Sequence, residues 1–282
     1  RPLLDQVPGQ ISADKVWEGA VNQLPQAYTG KDVVVGIVDS GFDYIHPFFD
    51  ADPAARSTGG KAAATPRVVW AGDYVSGSTY TTKEQIVTAM HSADATKMYH
   101  GTHVTGIAAG SRFSDSDWDP ATSKTYQGVA SEADIALGAI STDISNEGLS
   151  SASSIQAFND IFSYAEQQGK PCVINYSVGD MMSFANNRQL EEEAIRTLLQ
   201  KPGRALVVAA GNAGSTRRLA HKKAGTNEGG CGVCFNDWEQ YGTFFGVEVK
   251  MKAGQSITLR YANSDYSASK GELTLTVEQL MS

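Results

Sequence analysis

Val33-Val34-Val35-Gly36-Ile37-Val38-Asp39-Ser40-Gly41 is the stretch on which the fold turns. Its first six residues are apolar or glycine, mostly β-branched, and the run stops abruptly at an aspartate, a serine and a glycine. A short unbroken run reads as a strand buried on both faces of a sheet, because a half-exposed strand would alternate. Three later runs share the pattern: Ile135 to Ile140, Cys172 to Tyr176, and Ala205 to Ala210. Helix patterns lie between them. Ser154 to Gln167 carries Ile155, Phe158, Ile161, Phe162 and Ala165 at helical spacing, and Gly169-Lys170-Pro171 stops it. Asn187 to Gln200 runs through three glutamates to Leu198 and Leu199 before Pro202-Gly203. Strands alternating with helices, from Ile11 to about Gly214, predict parallel pairing through right-handed crossovers. The expected class is α/β, a doubly wound parallel sheet.

After about Phe235 the pattern changes. Phe245, Val247, Val249 and Met251 recur at a period of two, as do Ile257, Leu259 and Tyr261, and then Leu273, Leu275 and Val277. Gly254 and the segment from Asn263 to Gly271 supply the breaks. Three half-buried strands in succession predict an antiparallel sheet, too thin to stand without cover on one face. Residues 1–234 therefore read as one α/β domain, or the amino-terminal portion of one, and residues 235–282 as the start of a β-rich second domain.

The chain has 282 residues, 23 basic and 31 acidic, for a net charge of −8. No stretch is basic enough to clamp a phosphate backbone, which argues against a nucleic-acid partner. The apolar runs are too short for a helix to span a bilayer. Three cysteines, Cys172, Cys231 and Cys234, form one disulfide at most. Cys231-Gly232-Val233-Cys234 lacks the second ligand pair that zinc would need, although His221 lies ten residues upstream; a local disulfide and two plain loop thiols both remain open. The chain opens on Arg1 with no signal sequence, as a processed product or a cut piece would.

Open parallel sheets build their sites at the carboxyl ends of strands. Asp39 ends the first apolar run and Asn212 follows Val207-Val208-Ala209-Ala210-Gly211. His100 opens a small-residue stretch, His100 to Gly110, suited to a helix packed tightly in a core. An aspartate that orients an imidazole, an imidazole that takes a proton, and an amide that donates to an oxyanion form a consistent acyl-transfer set. Singly, each has a plainer reading as a strand-end turn residue, a helix cap and a turn former.

Taken together, Val35-Gly36-Ile37-Val38-Asp39-Ser40-Gly41-Phe42-Asp43, His100-Gly101-Thr102-His103-Val104 and Val207-Val208-Ala209-Ala210-Gly211-Asn212 resemble the subtilisin-like serine peptidases, in that family's order. Gly128-Val129-Ala130 and Val173-Ile174-Asn175-Tyr176-Ser177-Val178-Gly179 resemble two further family segments. The resemblance implies a subtilisin-like sheet and assigns Asp39 as orienting carboxylate, His100 as general base and Asn212 as oxyanion donor. It makes Ser40 and His103 structural. His46, before Pro47, is expected to pack, and His91 and His221 have no evident role.

One part of the family pattern is missing. The nucleophile belongs in a Gly-Thr-Ser-x-Ala segment after the oxyanion asparagine, and no Gly-Thr-Ser occurs in the sequence. Without a serine beside His100 no acyl-enzyme forms, so the 282 residues alone are expected to be inactive. Two accounts fit. Either the segment from Phe235 is an insertion between Asn212 and a serine further on, and the chain is an amino-terminal fragment of an endopeptidase; or the molecule is a degenerate relative that binds peptides without cutting them. Retention of Asp39, His100 and Asn212 together favours the first, since a binder needs none of them. Either way, a sheet lacking the serine-bearing helix exposes core surface that a second copy could cover.

The same resemblance sketches a groove for protein or peptide substrates. An extended peptide would pair with Ser177-Val178-Gly179 on one side and a stretch near Gly148 on the other, with Gly211 lining the primary pocket. Glu147 could favour a basic side chain further along, against the plainer reading of a solvated surface residue. No cofactor is needed for the chemistry. Many relatives bind calcium through an aspartate nine residues past the catalytic one, a position held here by Phe48. Asp115, Asp117 and Asp119 are the remaining candidate calcium ligands, since alternate carboxylates can wrap a hard cation. A hydrated acidic loop is the alternative. The resemblance also implies a secreted or cell-envelope location.

Overall fold

The structure is a computed structural model and describes residues 7–21, 24–51, 65–95, 99–114, 125–140, 151–178 and 189–209. By contacts the chain divides into two units, Arg1–Gly179 with Leu190–Ala210, and Asp180–Gln189 with Gly211–Ser282. Apart from Gln189, every residue described below belongs to the first. The three strands expected after Phe235 lie outside the described residues.

In chain order the elements are α1 (Val7–Gln10), α2 (Ala13–Trp17), β1 (Val34–Asp39), a 3₁₀ turn (Pro47–Phe49), β2 (Val68–Asp73), β3 (Ser78–Tyr80), α3 (Lys83–Ala89), α4 (His100–Ala109), β4 (Phe113–Ser114), β5 (Thr125–Tyr126), β6 (Asp134–Ala139), α5 (Ser151–Gln167), β7 (Cys172–Tyr176), α6 (Gln189–Leu199) and β8 (Arg204–Val208). Six strands form one sheet in the order β3-β2-β6-β1-β7-β8, and β4 pairs with β5 apart from it. Every pair in the large sheet is parallel except β2 with β3.

Helices cover both faces, as the alternation predicts. On one face Val35, Ile37, Ile135 and Leu137 meet Ile86 of α3 and Val104, Ala108 and Ala109 of α4. On the other, Val34, Val38, Ala136 and Ile174 meet Ala157, Phe158, Ile161, Phe162 and Ala165 of α5. The chain enters β6 after α4 and leaves it through α5, so the winding changes face beside β1. Such a switch point opens a crevice at the carboxyl ends of the strands. Those ends are level: Val38 pairs with Tyr176 and Tyr176 with Val208, while Asp39 pairs with Ala139. Arg67 ties the layers, donating to the carbonyls of Ala109 and Ala133 and to the Ser111 hydroxyl, and so satisfies a terminal carbonyl of α4.

Burial on both faces holds for β1 and β6 and fails for β7 and β8. Val173 shares a sheet face with Val35, and Val207 with Asn175 and Ile37. No described helix lies over that end of the face, and Val173 and Val207 are 38% and 54% exposed. The expected strand to Ala210 ends at Val208, and the expected helix from Asn187 begins at Gln189. None of the described helices is long and apolar enough to cross a membrane.

Cys172 points into the α5 layer and is fully buried. Burial pushes its thiol up to about 12, which leaves very little thiolate at ordinary pH. Native protein treated with iodoacetamide at mildly alkaline pH should leave Cys172 unmodified, roughly a thousandfold slower than a free thiol. Unfolding should expose it. Peptide mapping by mass spectrometry separates it from Cys231 and Cys234, and rapid native labelling at Cys172 would refute the packing described.

Candidate active site

Asp39 is the last residue of β1, at the level edge, and its side chain is 1% exposed. Its Oδ1 accepts from the Ser40 backbone N–H at 2.7 Å and faces His100 Nδ1 at 2.7 Å. A carboxylate oxygen only accepts, so Nδ1 carries the proton and the neutral ring keeps its lone pair on Nε2. The His100 side chain is 53% exposed. One partner is thus fixed inside the sheet edge while the other stays open to an incoming group. Among the described residues Asp39 Oδ2 is buried without a hydrogen-bond partner. Burial raises the Asp39 carboxyl above its ordinary value; the His100 and Ser40 hydrogen bonds oppose that rise without cancelling it.

His100 is the first residue of α4, and no side chain caps this helix. The free N–H groups of its first turn instead donate to the chain just past Asp39: Gly101 N to the Ser40 carbonyl at 2.7 Å, Thr102 N to the Gly41 carbonyl at 3.1 Å. Gly41 takes φ 73°, a left-handed conformation that glycine adopts without penalty. Gly101 is needed for closeness, since a Cβ there would lie 2.5 Å from the Phe42 ring. The helix start is thereby bolted to the strand end, and the imidazole meets the carboxylate with little freedom.

The other sequence-derived candidates divide. Ser177 and Val178 follow β7 at the same edge; the Ser177 hydroxyl accepts from Asn175 Nδ2 at 2.9 Å, and Val178 packs on the α5 layer. Gly148, Gly179, Gly211 and Asn212 lie outside the described residues, as do Asp115, Asp117 and Asp119. Among the described residues no group of three or more acidic, histidine or cysteine side chains could hold a metal. Phe48, at the position of the family's calcium aspartate, stands edge-on to Phe113 at 6.3 Å and packs over Gly106 and Gly110. His46 packs on Phe49, and its Nδ1 accepts from the Phe48 N–H at 3.2 Å. His103 is exposed on α4 and lines a cavity of about 1060 Å³ with Trp17, His46, Phe48 and Ile107. Neither Asp39 nor His100 lines that cavity, so its size says nothing about the pair. Sequence reasoning missed Ser92 and Asp94, which bind the turn after Asp39; their only local signal is the short Ser-x-Asp spacing.

A parallel α/β sheet with an aspartate–histidine pair at its switch point defines the class, and the sequence comparison agrees. The subtilase family model matches residues 30–238, and the chain belongs to the subtilase family, the subtilisin-like serine peptidases. In structure it is similar to the CspB protease of Clostridium perfringens, with 26% identity and a TM-score of 0.53, over 72% of this chain and 41% of that one. Sphericase and the S41 psychrophilic protease align at 21% and 20% identity with TM-scores of 0.40 and 0.41, each over 71% of this chain and 52% of its own. The chain thus spans roughly two fifths to one half of the length of these relatives. No curated protein sequence matches it.

Proposed function

We infer that the chain carries the aspartate–histidine half of a serine endopeptidase that cleaves proteins or peptides through an acyl-enzyme. Asp39 orients and stabilises the imidazole, His100 takes the nucleophile's proton and later returns it to the leaving amine, and Asn212 donates to the oxyanion. The nucleophile would be a serine of Gly-Thr-Ser-x-Ala type outside the 282 residues, which alone would not hydrolyse peptides. One observation carries this reading: the 2.7 Å contact between a buried Asp39 and a half-open His100. A protein that only binds peptides gains nothing from a buried carboxylate held against an imidazole. The face at Val173 and Val207, over which no described helix lies, supports the missing serine segment, being apolar surface that a serine-bearing helix would cover. Left uncovered, it is where copies would associate. Ser177, Val178 and Gly179 would pair with the substrate backbone, with Gly148 opposite and Gly211 in the pocket. Calcium is not needed for these steps, and a secreted or envelope location follows from the family habit.

The test is labelling by a serine-reactive fluorophosphonate, of the 282-residue chain and of the protein expressed from its complete reading frame. The latter alone should label, at a serine following Gly-Thr. Labelling of the short chain would refute the missing nucleophile. Failure of both, with retained peptide binding, would establish a non-catalytic relative instead.

A further inference from the structure

Ser40, Gly41 and Phe42 form two successive peptide units between Asp39 and the rest of the chain, and both are gripped from opposite sides. The Ser40 carbonyl accepts from Gly101 N, while the N–H of the same unit, on Gly41, donates to Asp94 Oδ2 at 3.0 Å. The Gly41 carbonyl accepts from Thr102 N and, at 3.2 Å, from the Thr102 hydroxyl. The N–H of that unit, on Phe42, donates to the Ser92 hydroxyl at 2.8 Å, and Ser92 in turn donates to Asp94 Oδ1 at 2.6 Å. One carboxylate thus holds both units, directly and through Ser92, on the side away from α4. Its loop is itself anchored: Ala93 N donates to Asp73 Oδ2 at 2.8 Å, and Asp73 is buried at the end of β2.

We propose that Asp94 is a positioning residue for the Asp39–His100 pair, fixing the turn on which the start of α4 is mounted. The proposal rests on the endopeptidase reading above. Asp94 touches neither imidazole nor substrate; it acts by preventing the two peptide units from rotating. If they rotate, the Ser40 and Gly41 carbonyls leave the Gly101 and Thr102 N–H groups, and His100 drifts from the carboxylate. Charge-assisted hydrogen bonds to backbone N–H groups are the strong kind and suit this task. After burial and the opposing hydrogen bonds, the Asp94 charge adds a further upward push on the Asp39 carboxyl, as expected of a neighbour this close.

The experiment uses the protein from the complete reading frame, with Asp94→Ala, Asp94→Asn and Ser92→Ala. A misplacement of about 1 Å costs about 10²-fold in rate. Asp94→Ala should therefore lower kcat by about 10²-fold with KM little changed, and Asp94→Asn, which keeps an acceptor for the Gly41 N–H, should recover most of the loss. The second readout is the far-downfield proton resonance of His100 Nδ1, assigned by its loss in His100→Gln. It should persist in wild type and Asp94→Asn and vanish or move upfield in Asp94→Ala. Should Asp94→Ala fail to fold, Ser92→Ala should show the same changes in smaller measure. Unchanged kcat and an unchanged resonance in Asp94→Ala, whatever its melting temperature, overturn the proposal; so does a wild type lacking the resonance. A wild type that shows the resonance without peptidase activity refutes the endopeptidase reading instead, and the resonance in the variants then decides the role of Asp94.

Discussion

Asp39→Asn, introduced into the protein from the complete reading frame, should lose peptidase turnover by about 10⁴-fold and should lack a fall in stability that the wild type shows as pH rises from the acid end. The loss follows from tautomer control. A carboxylate oxygen accepts from His100 Nδ1; an amide that turns its NH₂ toward the ring forces the proton onto the other nitrogen, the one that in the proposed reaction receives the nucleophile's proton. In serine-peptidase triads this change costs about four orders of magnitude. The change in pH dependence follows from the raised Asp39 carboxyl. Its folded value lies above the ordinary 3.8, chiefly through burial, so the folded state holds the proton more tightly than the unfolded chain. Stability therefore falls as pH rises from 3.8 through the folded value, and above it the ionised carboxylate is a standing cost. Asparagine carries no charge and so removes that pH-dependent cost. Oδ1, however, accepts from both His100 and Ser40; an NH₂ turned toward the ring leaves the Ser40 N–H without its acceptor, a loss that opposes the gain at every pH. In thermal melts between about pH 4 and 8 the wild type should lose stability relative to the variant as pH rises through the folded value of Asp39. A wild type that gains stability relative to the variant over that range would show that the charged form is favoured here.

The second large effect is on folding. Gly128→Ala should destabilise the chain by about 3 kcal/mol or more, enough to remove most soluble protein. Residues 128–130 run along the end of α4 and satisfy its carbonyl ends: Gly128 N donates to Gly110 O, Val129 N to Ile107 O and Ala130 N to Ala108 O. A Cβ on Gly128 would lie 2.7 Å from Ala109 N and 2.8 Å from Ala109 C, and closer still to Gly110 N. These are backbone atoms at the foot of a helix, without a rotamer to change, so the segment must pull away and break those three bonds. Gly77→Ala is the contrast: nothing lies within 4 Å of its Cβ, and only its φ of 74° opposes the change, a cost of about 1–2 kcal/mol. Chemical unfolding of the two variants should rank them in that order. Equal stabilities would mean that the 128–130 segment is not seated as described.

What the sequence made legible follows from how local each signal is. β1, β6 and β7 were readable because continuous apolar runs reflect burial on two faces, although β7 proved open on one. β2 escaped although Val68-Val69-Trp70-Ala71-Gly72-Asp73 is as long as β1 and β6; its apolar run is only four residues, and the register shift between Val68 and Trp70 leaves no local mark. α3 escaped despite its capping box, in which Thr82 accepts from Gln85 N and the Gln85 side chain returns to Thr82 N. Asp39 and His100 were readable as a pair only through family motifs, since 61 positions separate them. Asp94 had no such help. Its partner Gly41 lies 53 positions upstream, and no spacing rule links a carboxylate to a distant backbone N–H.

The end of the sheet at Val173 and Val207, over which no described helix lies, has a meaning in time. A ribosome that has finished β8 must still add 74 residues to reach Ser282, which takes roughly 4–15 s at ordinary elongation rates. Once β8 has cleared the exit tunnel, and for the rest of that interval, the described part of the nascent chain presents Val173 and Val207 on a sheet face over which no described helix lies. Such a face invites wrong partners among neighbouring polysomes. In a chain built in this order, slowing elongation after codon 208 should raise misassembly even though no residue of the sequence has changed.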